Sequence, residues 1–200
     1  MRSLLNSRIL GLLAAALILS GVEANASVIF TLQEIGGDTV MTGSGSLDLT
    51  GFTTSHTFSI DPQISATTFF LVGAKGQTFA EYDGPITGPT SIGPGDFHGL
   101  LADSGTGDLF GMGFMAGAQS IPLPVGYVSG QALSGTATYF HHLLFPSPIT
   151  PGTYVWTLGN GDTITLNAID PNPPTAPEPT TLVLVATGIL GLAGRRHRIG

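Results

Sequence analysis

The residues of this chain best suited to chemistry are five acids beside two Gly-rich stretches: Glu81, Asp83, Asp96, Asp103 and Asp108. One stretch, 84–95, lies between the first two acids and Asp96, and the other, 104–107, lies between the last two. If both loops lie at one end of the fold, the carboxylates predict a calcium site, because Ca²⁺ takes roughly six to eight oxygen ligands. Their spacing does not follow the D-x-[DN]-x-[DN]-G calcium loop, and turns favour Asp beside Gly for local reasons alone. Calcium binding is therefore a hypothesis that depends on the fold.

Motifs for enzyme chemistry are missing from the sequence. Two carboxylates flanking a sugar would indicate a glycosidase, but no spacing selects a pair among the acids. No serine lies in a G-x-S-x-G frame, and no phosphate-binding G-x-x-x-x-G-K-[ST] loop is present. The adjacent His141 and His142 would point to opposite faces of a strand and could not bind one metal together. We therefore expect no catalytic residue, and no cofactor apart from the calcium considered above.

Charge and composition exclude several classes of function. The 200-residue chain has 13 Asp or Glu, 6 Lys or Arg and a net charge of −7, and Lys75 is the sole Lys or Arg between residues 27 and 170. Such an acidic body repels phosphate backbones, so no nucleic acid partner is expected. The chain has no cysteine, which excludes disulfides, thiol redox chemistry and thiolate zinc sites.

Short runs of Val, Ile, Phe and Thr between Gly and Pro residues predict strands throughout the body, 27–170. Runs with this composition lie at 28–33, 39–50, 52–60, 67–72, 77–82, 108–115, 127–128 and 135–145. No stretch of the body has a helical period with caps. About ten strands at this spacing predict an all-β domain, an antiparallel β-sandwich or jelly-roll-like fold.

The clearest local signal is a hairpin formed by residues 153–158 and 163–167. The Asn160-Gly161 pair between them predicts a type I′ turn, which needs positive φ at both central residues. Alternate residues of a strand share one face, so Trp156 and its neighbours two positions away are expected on the buried side. Trp156 is interpreted as a core residue, and sugar stacking is the alternative.

An export signal is predicted at the N-terminus, 1–26. Two arginines precede an almost unbroken apolar run, 9–22. Ala24-Asn25-Ala26 has the small-x-small form of a signal-peptidase site, and cleavage after Ala26 would leave Ser27 as the first residue. The apolar run is shorter than the ~20 residues that a spanning helix needs, which favours a signal peptide over an uncleaved membrane helix.

A second apolar segment, 180–194, is predicted to be a C-terminal transmembrane helix. It carries no charge, follows a proline-rich linker, 171–179, and precedes a basic tail, 195–200, with arginines Arg195, Arg196 and Arg198. The positive-inside rule places this tail in the cytoplasm and the body on the exported side. At ~1.5 Å per residue the helix would be ~22 Å long, shorter than the ~30 Å hydrocarbon core. The segment therefore predicts a weak, temporary anchor.

The C-terminal pattern resembles a known sorting signal. Pro177-Glu178-Pro179, the apolar segment and the closing arginines stand in the order of the PEP-CTERM signal of exported Gram-negative proteins. The resemblance implies recognition and cutting near Pro-Glu-Pro by a membrane-embedded cysteine protease of the exosortase type. It also implies an association with exopolysaccharide and biofilm systems. Stretches of the body (104–112, 127–139 and 150–169) are similar to segments of PEP-CTERM proteins that have no assigned activity.

The combined expectation is an exported, non-enzymatic surface or extracellular-matrix protein with a structural or interaction role. It would be held briefly in the inner membrane, processed by an exosortase-type protease, and then reside in the periplasm, at the cell surface or outside the cell. Exopolysaccharide is the expected contact there. The alternatives are a carbohydrate-binding or Ca²⁺-dependent adhesion module, and a secreted hydrolase with two carboxylates in a cleft.

Overall fold

The structure is a computed structural model that describes residues 26–94, 99–114 and 118–171. The chain divides into two compact units, Met1–Ile169 and Asp170–Gly200, and all the described strands belong to the first. Most of the predicted signal peptide (1–25), residues 172–179 of the linker, the predicted membrane helix (180–194) and the basic tail (195–200) lie outside the described residues. Within the described ranges, no helix is long and apolar enough to cross a membrane.

Seven strands form the first sheet, called sheet I here. Their order is β7 (Ile86–Thr87), β13 (Gly152–Leu158), β14 (Thr163–Ile169), β1 (Ser27–Ile35), β2 (Asp38–Gly45), β12 (Leu133–Tyr139) and β9 (Ser104–Gly107). The first and last strands, β1 and β14, pair in parallel, from Ser27↔Thr163 to Gln33↔Ile169. The fully antiparallel pattern predicted from the sequence is therefore wrong at this pair. Parallel neighbours need a long crossover, and here the rest of the body supplies it.

Seven further strands form sheet II, in which every neighbouring pair is antiparallel. Their order is β3 (Thr53–Ser59), β6 (Thr78–Asp83), β11 (Ser120–Pro124), β10 (Phe110–Gly113), β5 (Phe69–Val72), β4 (Gln63–Ile64) and β8 (Leu100–Leu101). The all-β prediction is confirmed for the described residues, which contain two sheets and no helix.

An aromatic core lies between the two sheets. Phe30 of sheet I packs on Phe70 and Phe110 of sheet II, with ring centroids 5.0 and 5.2 Å apart. Trp156 of sheet I contacts Phe70 at 5.8 Å and stacks on Phe114 at 5.6 Å. Each of these large side chains contributes roughly 1.5–3 kcal/mol by leaving water. The core position predicted for Trp156 is confirmed, because its side chain is 0% exposed.

The predicted hairpin forms between β13 and β14, with Trp156 opposite Ile164, but its turn differs from the prediction. Gly161 has φ 94°, whereas Asn160 is not among the residues with positive φ. The Gly161 amide donates to Leu158 O at 2.9 Å and the Leu158 amide to Asp162 O at 2.9 Å, which is a three-residue loop closed by a glycine bulge. The Asn160 side chain holds this shape by donating to Asp48 O at 2.7 Å and accepting from the Asp162 amide at 3.0 Å.

Two other local predictions are wrong for tertiary reasons. Residues 104–107, expected to be a loop, form the edge strand β9 because they pair with β12, and the Thr106 and Thr136 hydroxyls meet across that pair at 2.9 Å. Residues 127–128, expected to be a strand, lie outside the strands and directly follow a turn, which the Tyr127 amide closes by donating to Pro124 O at 3.0 Å. The hydroxyl of Tyr127 bonds to Leu47 in a distant segment, a contact that no local pattern encodes.

Candidate functional site

The acids predicted to bind calcium are divided between the two sheets. Glu81 and Asp83 lie on β6 of sheet II, whereas Asp103 and Asp108 flank β9 at the edge of sheet I. Asp96 lies outside the described residues. The described acids therefore do not converge as a set of four.

Two of these carboxylates close the ends of the β9–β12 pair. Asp103 Oδ2 accepts from the Phe140 amide at 2.7 Å, and Asp108 Oδ2 accepts from the Ser134 amide at 3.0 Å. No group of three or more Asp, Glu or His side chains that could hold a metal ion is found in the described part of the chain. Calcium binding stays a prediction.

The two adjacent histidines do not lie in a strand. His141 and His142 occupy the turn after β12, and both are exposed. His141 has φ 57°, and its amide donates to Asp38 Oδ1 at 2.8 Å. Thr39 Oγ1 donates to the His142 carbonyl at 2.6 Å. Backbone groups make these hydrogen bonds, and the His141 ring adds a contact of its Nδ1 with Asp38 Oδ1 at 3.9 Å.

An apolar cleft of about 270 Å³ opens on the outer face of sheet II. It arises because β5, β6 and β3 carry apolar side chains on the face that points away from the core. Phe70 of β5 packs inward on Phe30, so its neighbours Phe69 and Leu71 point outward. Phe58 of β3 and Phe79 of β6 stand opposite each other in register, with ring centroids 5.7 Å apart. These four side chains line what we call the sheet II cleft.

Buried apolar contacts beneath the cleft and one glycine beside it define its shape. Leu71, Phe79 and Leu109 form a second hydrophobic cluster, separate from the core between the sheets. Gly113 of β10 also lines the cleft. A Cβ at that position would lie 2.6 Å from Ser120 Oγ, so a larger residue would collide with this hydroxyl. The packing of sheet II, including the missing side chain at Gly113, therefore leaves this volume open.

The cleft has a single carboxylate in its lining, that of Glu81. Ser120 Oγ donates to Glu81 Oε1 at 2.6 Å, which holds the side chain in place. Lys75, the sole Lys or Arg of the described residues, is occupied elsewhere, with Asp61 Oδ2 at 3.5 Å and the Ala102 carbonyl at 2.9 Å. The two-carboxylate arrangement of a hydrolase is not found in this cleft.

Sequence reasoning did not predict the cleft, although one signal for it was present. The run Phe69–Val72 is apolar at every position, which is typical of a strand covered on both faces. Strict alternation would have indicated one buried face and one solvated face. The missing alternation in β5 therefore indicated an apolar layer on the outer side of the sheet.

A buried carboxylate lies beside the predicted signal-peptidase site. Asp162 is 4% exposed, and its oxygens accept from the Ala26 amide at 2.9 Å and from the Asp48 amide at 2.7 Å. Ala26 also accepts from the Thr163 amide at 3.3 Å, and Ser27 begins β1. Ala24 lies outside the described residues. The sequence presents Asp162 only as a turn residue, so its long-range role was not predicted.

A network of side chains surrounds this carboxylate. The Tyr127 hydroxyl accepts from the Leu47 amide at 2.8 Å and lies 3.1 Å from Leu47 O and 2.8 Å from Gln131 O. Burial raises the pKa of Tyr127. The Thr50 hydroxyl donates to Asp48 Oδ1 and lowers the pKa of that carboxyl. These contacts tie loops of both sheets to the start of β1.

The sorting-signal residues predicted from the sequence are Pro177, Glu178, Pro179, Arg195, Arg196 and Arg198, which all lie outside the described residues. The chain has no significant match among curated proteins or among solved structures. A family model does match residues 175–198, which include all six of these residues. The resemblance stated for the C-terminal pattern is thereby confirmed. The chain is a PEP-CTERM sorting domain-containing protein, with a PEP-CTERM protein-sorting motif at residues 175–198.

Proposed function

We propose that this protein is an exported surface or extracellular-matrix protein with a structural or interaction role in an exopolysaccharide or biofilm layer. The match of residues 175–198 to the sorting motif is the observation that carries the proposal. A motif of this kind indicates export, sorting at the membrane and processing by an exosortase, which is a membrane protease. We assign the temporary anchor to 180–194 and the processing site to Pro177-Glu178-Pro179.

Two features of the described body bear on the proposal, its surface charge and the position of its tryptophan. Its charge is strongly negative, with Lys75 as the sole Lys or Arg, and such a charge keeps an exported domain soluble. Trp156 has no exposed surface, and its indole N–H donates to Pro89 O at 2.7 Å. This tryptophan is therefore not positioned to stack on a sugar, and we do not favour the carbohydrate-binding alternative.

The direct test is the mass of the mature protein recovered from the cells that produce it. Export and processing predict an N-terminus at Ser27 and a C-terminus within 177–180. Deletion of the exosortase gene in the same cells should leave the tail attached and the N-terminus unchanged. A chain that still ends at Gly200 in cells with an active exosortase would overturn the sorting part of the proposal.

Replacing Glu178 separates sorting from folding. Glu178→Ala should abolish removal of the tail, because it changes the centre of the Pro-Glu-Pro motif. The thermal unfolding of the body should be unchanged, since Glu178 lies outside the strands of the described domain. Asn172→Ala is the matched control, because it lies in the same proline-rich linker and outside the matched residues. Normal processing of Glu178→Ala would contradict the assigned site.

A further inference from the structure

We propose that the sheet II cleft binds small organic cations in which an ammonium group is attached to an aromatic or branched alkyl body. The inference rests on the described residues of sheet II and is independent of the sorting signal. Two features of the cleft carry it, its apolar walls and its single unneutralised carboxylate.

The walls select an apolar body of modest size. Phe58, Phe69 and Phe79 line a space of about 270 Å³, just below the range of roughly 300–1,000 Å³ for small-molecule pockets. A sugar would leave most of its hydroxyls without hydrogen-bond partners against these walls, which is costly. A phenyl ring or a short branched alkyl chain would instead exchange water for phenylalanine contacts.

The carboxylate selects a cation. Glu81 is held by Ser120 through one oxygen, Oε1, and a glutamate is negatively charged at neutral pH. Beside low-dielectric walls, this charge attracts a cation more strongly than it would in bulk water. The same charge repels fatty acids and other anions. The net charge of −7 on the chain adds a general attraction for cations.

No basic side chain of the described domain neutralises Glu81. Lys75, the sole candidate among Lys and Arg in that part of the chain, contacts Asp61 and the Ala102 carbonyl. The nearest titratable base by register is His56, which stands opposite Glu81 on β3. Its ring stacks on Phe58, with centroids 5.8 Å apart. A ligand ammonium group would therefore supply the missing positive charge.

Three probes of similar shape test the selection of charge. They are 2-phenylethylamine, 2-phenylethanol and 3-phenylpropionate, titrated calorimetrically into the full-length chain in non-ionic detergent, with empty micelles as the blank. We expect the amine to bind about tenfold more tightly than the alcohol, and the acid to give no heat of binding. A higher salt concentration should weaken the binding of the amine and leave the binding of the alcohol unchanged. Equal binding of amine and alcohol, or no binding of the amine at millimolar concentration, would overturn the proposal.

Variants with matched controls locate the site. Glu81→Gln keeps the shape of the side chain, and it should reduce amine binding to the level of the alcohol. Asp83→Asn, two residues along the same strand, should leave amine binding unchanged. Phe58→Ala should weaken amine and alcohol alike, by about fivefold. Phe140→Ala is its control, because Phe58 and Phe140 are 47% and 46% exposed and only Phe58 lines the cleft.

The variants also separate this cleft from binding elsewhere. If Glu81→Gln retains the full preference for the amine, the cation is bound at another acid and the proposal is wrong. If Phe140→Ala weakens binding as much as Phe58→Ala, the ligand is not in the cleft, and the proposal fails in the same way. Thermal unfolding of each variant without ligand confirms that the compared proteins are folded.

Discussion

Replacement of Asp162 by alanine should destabilise the β domain more than replacement of any exposed acid. Asp162 is 4% exposed, and its two oxygens accept from the Ala26 and Asp48 amides. Ala26 lies directly before the first strand, and Asp48 lies in the segment after the second strand. The side chain therefore joins the β13–β14 turn to two distant segments, one directly before β1 and one after β2.

The expected loss follows from these two hydrogen bonds. A hydrogen bond to a charged group contributes about 1.5–3 kcal/mol. Ala26 and Asp48 are half-buried, so water can replace part of each bond in the variant. We therefore expect Asp162→Ala to lower the free energy of unfolding by about 2–4 kcal/mol. Asp162→Asn keeps one acceptor oxygen and should lose about half as much.

Urea unfolding of the full-length chain, produced without export so that Ala26 is retained, measures this loss. With a slope of about 2 kcal/mol per molar urea, the midpoint should fall by roughly 1–2 M for Asp162→Ala. Asp83→Ala is the control, because Asp83 is exposed. This variant should change the free energy of unfolding by no more than about 0.5 kcal/mol. If Asp162→Ala behaves like Asp83→Ala, the buried carboxylate does not hold these segments together and the reasoning is refuted.

Two buried tyrosines and the single tryptophan give further predictions. The Tyr139 hydroxyl has no hydrogen-bond partner among the described residues, so Tyr139→Phe should leave the free energy of unfolding unchanged or raise it by up to about 1 kcal/mol. Tyr127→Phe removes a hydroxyl bonded to Leu47 and Gln131 and should lower the free energy of unfolding by about 1–3 kcal/mol. If denaturant titration finds Tyr139→Phe less stable than Tyr127→Phe, these hydrogen-bond assignments are contradicted. Burial raises the pKa of Tyr139 above its ordinary value of 10.0, so the unfolded chain loses this phenolic proton first as the pH rises. The free energy of unfolding should therefore be retained below about pH 10 and fall above it. Unfolding measured at several alkaline pH values should show a shallower fall for Tyr139→Phe. An equally steep fall in this variant would count against a buried phenol. Trp156 should give the blue-shifted fluorescence of a buried indole, unchanged by added oligosaccharides, and a sugar-dependent shift would restore the carbohydrate-binding alternative.

Local patterns were enough for part of the fold. The β13–β14 hairpin was predicted because two strands of matching composition flank a short polar loop. The alternation of residues along β13 also predicted the buried side chain of Trp156. The strand β9 was missed because Ser104–Gly107 has no apolar alternation and exists only through its pairing with β12. The turn at Asn160 was predicted wrongly because its side chain bonds to Asp48, far away in the sequence.

The candidate sites also divide into one made of contiguous residues and others made of residues from distant segments. The sorting motif is read from contiguous residues at 175–198, so its order of Pro-Glu-Pro, apolar segment and arginines could be recognised without any fold. The sheet II cleft and the hydrogen bonds of Asp162 are made by residues that are far apart in the chain, such as Phe58 with Phe79 and Asp162 with Ala26. The spacing of the acids could not show that Asp103 and Asp108 flank a strand of sheet I, whereas Glu81 lies in a strand of sheet II.

The sequence by itself determined the all-β class, the acidic charge and the C-terminal sorting motif, because composition, charge and contiguous motifs are local properties of a chain. The tertiary structure alone decided that β1 and β14 pair in parallel, that Asp162 holds the start of the first strand, and that Glu81 stands uncompensated in an apolar cleft. Those features depend on which strands become neighbours. That choice is made by the packing of side chains such as Phe30, Phe70 and Trp156 from distant segments into one core, and no window along the chain contains it.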